Sequence, residues 1–155
     1  MAAYRIKPIG DAGLTAALNL VWEVFNEFQA PDYEARGVEE FKEFIRYENI
    51  REKMYCGEIL LWGSFDKDRL IGVIAVQEPA HISLLFVDKA YHRNGVARGL
   101  VEQMLAYCKT KTQYRIATVN ASPYALKAYE RMGFEATDAE REVNGIRFIP
   151  MKRVF

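Results

Sequence analysis

The stretch LLFVDKAYHRNGVARGL, Leu84–Leu100, runs from apolar residues into a short polar turn, and a new apolar rhythm begins directly after Gly95. The first run reads as a strand. Val96, Leu100, Val101, Met104, Leu105 and Cys108 then recur at helical spacing, which predicts a helix over Val96–Lys109. A strand that passes through a glycine turn straight into a helix offers unpaired N–H groups at the helix N-terminus, where the dipole also favours negative charge. Gly95 admits a positive φ or a closely approaching ligand, Ala97 keeps the first turn small, and Arg93 and Arg98 bracket it with phosphate-matching donors. Taken alone the stretch fits a structural turn as well as an anion site, being neither G-x-G-x-x-G nor a Walker loop.

Working outward, three extended runs precede the turn: EILLWGSF and RLIGVIAVQ joined by DKDR as a hairpin, then HISLLFVD. Upstream, YRIKPI reads as a first strand, Tyr4–Pro8. A helix follows over Thr15–Phe28, with Leu14, Leu18, Val21, Trp22, Phe25 and Phe28 forming one apolar stripe. A second amphipathic helix is expected over Val38–Arg51. Downstream, YRIATVNA must return parallel to the strand before the crossover helix. SPYALKAYERMGF then predicts a helix with Ser122 at the N-cap, Pro123 at N1 and Gly133 just past its end. The tail holds two extended runs around an Asn-Gly turn, and Pro150 argues that the last strand lies at an edge or bulges. The element order β-α-α-β-β-β-α-β-α-β-β implies an α/β (α+β) fold, a mixed, mostly antiparallel sheet of about seven strands with helices on both faces.

The bulk properties suit one compact core. At 155 residues a chain buries about two thirds of its unfolded surface, so a single domain over residues 1–155 is expected. Lysine plus arginine equals aspartate plus glutamate, 21 each, which gives no overall pull towards nucleic acid or an anionic membrane. No stretch is apolar and long enough to span a bilayer or act as a signal peptide, so a cytoplasmic protein is expected. Cys56 and Cys108 are far apart in sequence, with no Cys or His at metal-ligand spacing. Neither a disulfide nor a metal is indicated, and Cys108 falls on the apolar helix face.

Val87-Asp88, then His92-Arg93-Asn94-Gly95-Val96-Ala97, then Tyr129-Glu130-Arg131-Met132-Gly133-Phe134 together resemble the signature of the GCN5-related N-acetyltransferase (GNAT) family. The match is close over Arg69–Phe134, whereas the first half fits only in element order. Two positions depart from the pattern. His92 stands where Arg or Gln is usual, and Ser122 stands where many members carry Asn, with Asn120 two residues earlier.

The resemblance implies a GNAT fold that binds acetyl-CoA between the strand ending at Val87 and the strand Tyr114–Asn120. Pantetheine amides would pair with backbone at Leu85 and Val87, and amides of Arg93–Arg98 would hold the pyrophosphate. Asn120, Ser122, Tyr124 and His92 are expected as further cofactor contacts. A backbone N–H near Phe86 or Val87 would polarise the thioester carbonyl. Tyr129 stands where the family places the acid that protonates the leaving thiolate, the other reading being a packed core tyrosine. Glu78 and His81 are the candidate bases for the amine, with water as the alternative.

An acceptor pocket built from FNEFQAPDYEARG and EREVNGIRF would carry Glu27, Asp32, Tyr33 and Glu34, which suits a small cationic amine or leaves them as a solvated loop. The expected activity is transfer of an acetyl group to a small-molecule amine, with a homodimer by analogy. The competing readings are a non-catalytic acyl-CoA-binding regulatory module and a nucleotide or phosphate-ester site.

Overall fold

The computed structural model describes residues 4–155. Strand β1 (Arg5–Pro8) leads into helix α1 (Asp11–Phe28), a 3-10 turn at Ala30–Asp32, and helices α2 (Ala35–Phe44) and α3 (Tyr47–Tyr55). Strands β2 (Ile59–Asp66), β3 (Arg69–Gln77) and β4 (His81–Val87) form an antiparallel meander. Helix α4 (Val96–Lys111) crosses over to strand β5 (Ile116–Ala121), which pairs parallel with β4. Helix α5 (Leu126–Arg131) and strands β6 (Glu135–Ala136), β7 (Arg141–Val143) and β8 (Ile146–Val154) complete the order.

The sheet runs β1-β2-β3-β4-β5-β8-β6, with β7 paired to β8, and every ladder except β4–β5 is antiparallel. The expected mixed, mostly antiparallel sheet is therefore present, with eight strands because the two-residue β6 joins the outer side of β8.

Strand alternation divides the core in two. Val73, Ala75, Leu84 and Phe86 pack with the buried stripe of α1 and with Ile45 and Ile50, on the face covered by α1–α3. Ile74, Val76, Ile82 and Val87 pack instead with Leu100, Met104, Leu105, Tyr129 and Met132, on the face covered by α4 and α5. Cys108 is buried on that second face.

Three expectations change. The single helix over Val38–Arg51 is two helices. Phe41 and Ile45 share a stripe, but Ile50 lies five residues on, off that stripe. The break at Ile45–Arg46 turns fully buried Ile50 inward, and Asn49 Nδ2 donates to the freed Phe44 carbonyl at 2.7 Å. The helix expected from Ser122 begins at Leu126. Ser122 Oγ accepts the Ala125 N–H at 3.2 Å, so it closes a tight turn rather than capping α5. Pro150 lies inside β8 between β5 and the β6/β7 side, not on an edge strand. In an extended strand a residue's nitrogen and carbonyl face the same way. The Pro150 carbonyl accepts from Thr137 N at 2.8 Å, so its missing N–H falls in the gap between β6, which reaches only Met151, and β7, which reaches only Phe148.

The β7–β8 turn uses Asn144 (φ 53) and Gly145 (φ 80) and rests on the start of α2, where Glu34 N donates to Gly145 O at 3.1 Å. A Cβ at Gly37 would stand 2.3 Å from that same carbonyl oxygen. Gly37→Ala must therefore push hairpin and helix apart. Denaturant unfolding should show a loss of about 1–3 kcal/mol, and an unchanged midpoint would mean that this contact is not made.

Candidate active site

The β4–β5 ladder is short, holding only His81↔Thr118 and Ile82↔Val119, after which the two strands part. β5 stays paired with β8 along its length, so the gap opens on the β4 side. The Asp88 N–H donates to Ile71 O at 2.8 Å. By alternation the backbone groups of Val87 and Leu85 then face away from β3 and into the gap. Those of Phe86 face Val73 on β3. Of the two amides expected at a thioester carbonyl, Phe86 is therefore engaged by the sheet and Val87 faces the opening. Ala75 pairs with Leu84 and Val76 with Ile82, leaving Ser83 bulged where the parting begins. No alternation in HISLLFVD signals that bulge.

The turn after β4 is held by charge and hydrogen bonds. Asp88 Oδ1 accepts the Ala90 N–H at 2.9 Å and Asp88 Oδ2 meets Arg69 at 2.9 Å. The Ala90 amide and then Arg69 hold the Asp88 carboxyl below the ordinary carboxylate range. The Tyr91 hydroxyl donates to Asp66 at 2.7 Å, and His92 Nε2 donates to the Val87 carbonyl at 2.7 Å. His92 thus occupies the one Val87 group that an incoming amide donor would use, and ties the turn to the strand.

Arg93 (φ 66) and Gly95 (φ 78) are both left-handed. For an arginine that conformation is unusual and costs about 1–3 kcal/mol. The two residues turn the amides of Arg93, Gly95, Val96, Ala97 and Arg98 into a cluster with no acceptor among the described residues. A Cβ at Gly95 would meet nothing within 4 Å, so the space before the amides is open. This is an anion cradle at the start of a 16-residue helix. Arg98 reaches across to donate to the Arg131 carbonyl at 2.9 Å, joining α4 to the end of α5.

The gap and the cradle belong to one cleft of about 870 Å³. Leu85, Phe86, Val87, His92, Arg93, Gly95, Val96, Ala97, Arg98, Asn120, Ser122, Tyr124 and Tyr129 all line it. Asn94 does not, its amide being turned to the Tyr91 carbonyl at 3.4 Å. Tyr129 is 6 % exposed, and its hydroxyl has no hydrogen-bond partner among the described residues. Burial pushes that phenol well above its ordinary pKa of 10.0. It therefore stays protonated through neutral and mildly alkaline pH, where it is able to give a proton and not to take one. Tyr124 is half exposed and stacks on Phe28 of α1 at 5.4 Å, while His92 lies 5.1 Å from the same Phe28 ring.

Glu78 and His81 stand outside the lining. His81 Nδ1 lies 2.8 Å from Thr118 Oγ1 at the closed end of the split, and burial lowers its pKa below the usual 6.5. The acidic residues of the first half are outside it too, with Glu27 paired to Lys89 at 3.3 Å and Glu34 to Arg36 at 3.2 Å. The cleft instead gains residues beyond the expected cofactor contacts. Lys127 and Arg131, one helical turn apart on α5, join its cationic side, and Val24, Gln29, Tyr33 and Phe41 join from the first half. The i, i+4 spacing of Lys127 and Arg131 is readable in the sequence; the placement of the other four depends on how α1 and α2 pack.

A family model described as an acetyltransferase (GNAT) domain matches residues 29–155. No curated protein matches. Among solved structures, a GCN5-related N-acetyltransferase from Rhodopseudomonas palustris superposes with a TM-score of 0.85 at 18% identity, covering 100% of this chain and 98% of that one. The PaiA N-acetyltransferase of Thermoplasma acidophilum, in complex with coenzyme A, gives 0.81 at 18% identity, with 99% and 100% covered. A spermidine N-acetyltransferase chimera from Vibrio cholerae and hSSAT gives 0.68 at 17%, with 99% and 96% covered. At these identities the likeness is one of fold.

His92 holds the turn through one hydrogen bond, while backbone amides form the cradle. His92→Ala should therefore weaken CoA binding by about five-fold, the equivalent of one hydrogen bond of ~1 kcal/mol, as read by calorimetric titration. A loss beyond about 100-fold would mean that the imidazole itself carries the anion.

Proposed function

The chain belongs to the GNAT acetyltransferase family, whose members are acetyl-CoA-dependent acyltransferases, and on that premise we propose that it moves an acetyl group from acetyl-CoA to the primary amine of a small molecule by direct attack. The residues present suit that cofactor. The strand edge past the split, with Leu85 unpaired and only the N–H of Val87 left free, offers hydrogen bonds to an amide-bearing arm and its thioester, and a row of acceptor-free amides flanked by Arg93 and Arg98 suits a diphosphate. Asn120, Ser122 and Tyr124 line the opposite side, where they would contact the same arm. Bound acetyl-CoA supplies a thioester carbon for an amine nucleophile.

Everything else falls to side chains and backbone of this chain. The Val87 N–H, facing the gap, is the donor available to a carbonyl oxygen that gains negative charge, and such donors are worth about 3–4 kcal/mol in acyl transfer. Tyr129 gives its phenolic proton to the departing thiolate and recovers one through the water of the cleft, which takes up the proton that the amine sheds. No carboxylate among the described residues lines the cleft, so the amine loses its proton to water before or during attack. The observation that carries this reading is Tyr129: a buried phenol, unbonded within the protein, on the wall of a cleft whose other wall is a free strand edge.

Thiol release from acetyl-CoA across a panel of small amines tests it. Tyr129→Phe should lower kcat about 10²–10⁴-fold with CoA affinity within about three-fold of the parent. Because burial raises the phenol's pKa, the rate should climb with pH as the free amine forms and show no fall from phenol ionisation below pH 10. Unaltered kcat in Tyr129→Phe removes the acid role. CoA binding with no turnover on any amine establishes the non-catalytic module, and equal protection by ADP and CoA establishes a nucleotide site.

A further inference from the structure

Resting on that acyl-transfer reading, the geometry points to an acceptor whose body is uncharged, apolar and flat, of the arylalkylamine class, rather than to a polyamine or other multiply charged amine. The cleft pierces the sheet between β4 and β5, so it opens on both of its faces, and the two faces differ in chemistry. On the α4/α5 face stand all four of its arginine and lysine residues, Arg93, Arg98, Lys127 and Arg131. That is where an anionic cofactor is held. On the α1–α2 face the lining is Val24, Gln29, Tyr33, Phe41 and Phe86, with Ile146 from the hairpin: four apolar side chains, an amide and a phenol. None carries a charge.

The aromatic members form one packed surface. Phe41 stacks on Phe25 at 3.9 Å and 11°, and lies 5.9 Å from Phe86. Tyr33 meets Phe25 edge-on at 5.2 Å. Burial first, and the nearby Asp32 second, push the Tyr33 phenol upward, so it remains a neutral hydrogen-bonding group. A flat apolar body gains both buried area and ring contacts of about 0.5–1.5 kcal/mol each on such a surface.

A second ammonium group would meet the reverse. The carboxylates that the sequence places nearby, Glu27 and Glu34, are paired outward to Lys89 and Arg36, and neither they nor Asp32 reach the lining. A cation carried onto this surface loses hydration with no carboxylate in contact, only Asp32 acting at a distance through Tyr33, and the arginines and lysine on the opposite face repel it. The same desolvation lowers the pKa of the reacting amine itself, which favours the neutral nucleophile without a dedicated base.

The test compares kcat/KM for 2-phenylethylamine and spermidine with acetyl-CoA, in the parent and in Val24→Glu, which sets a carboxylate on the neutral face. The parent should prefer 2-phenylethylamine by at least about 10-fold, and Val24→Glu should cut that ratio by about 10-fold or more, with CoA affinity unchanged as the control for folding. A parent that acetylates spermidine as well as 2-phenylethylamine or better overturns this inference and leaves acetyl transfer standing, as does any panel amine acetylated while 2-phenylethylamine is not. Turnover of no amine at all, with CoA still bound, overturns the catalytic reading and this inference with it.

Discussion

Two adjacent parallel strands that pair at only two positions are the constraint on which the rest of this molecule turns. Past Ile82↔Val119, β4 and β5 separate, and backbone groups that a continuous sheet would satisfy face open space at Leu85 and at the Val87 N–H. Unpaired backbone groups buried away from water cost about 1–3 kcal/mol each, so a split of this kind persists only if solvent or a ligand reaches it. The flanks hold it open. β4 is bound along its other edge to β3 and β5 along its other edge to β8, with helices packed against both faces. The strands cannot close without unpacking one core or the other.

The turn that follows β4 extends the same logic. His92 binds the last gap-facing carbonyl, Asp88 and Arg69 fix the chain's exit, and left-handed backbone at Arg93 and Gly95 gathers the next amides around an open space. Left-handed strain at Arg93 is tolerated because these anchors over-determine the turn. Strand edge and amide cluster therefore stand in series, as a ligand with an amide-bearing arm and an anionic end requires. Tyr129 closes the other wall, and burial keeps its proton in place.

Much of this was legible in the residues. The strand, Gly95 turn and helix of Leu84–Leu100 read correctly because apolar period and punctuation are local properties, and the pairing of that stretch with the Tyr129–Phe134 motif pointed to the family that the domain match shows. Three things were not legible, each for a reason that local pattern cannot hold. The break at Ile45 depends on turning Ile50 into a core built by other elements. The tolerance of Pro150 depends on two short strands ending on either side of it. The fate of the acidic residues depends on partners such as Lys89, distant in sequence, that draw Glu27 away from the cleft. Of the two readings open for Glu27, Asp32 and Glu34, their placement fits the solvated loop, since composition near a site does not fix which side chains face it.

Amide hydrogen exchange with and without acetyl-CoA tests the central claim most directly. If the split strand edge and the turn hold the cofactor, the amides of Leu85 and Val87 and those of Val96–Arg98 gain protection together on binding, while His81 and Ile82, already paired to β5, change little. Protection confined to other segments, or to the turn alone with Leu85 and Val87 exchanging as in the free protein, would contradict the account.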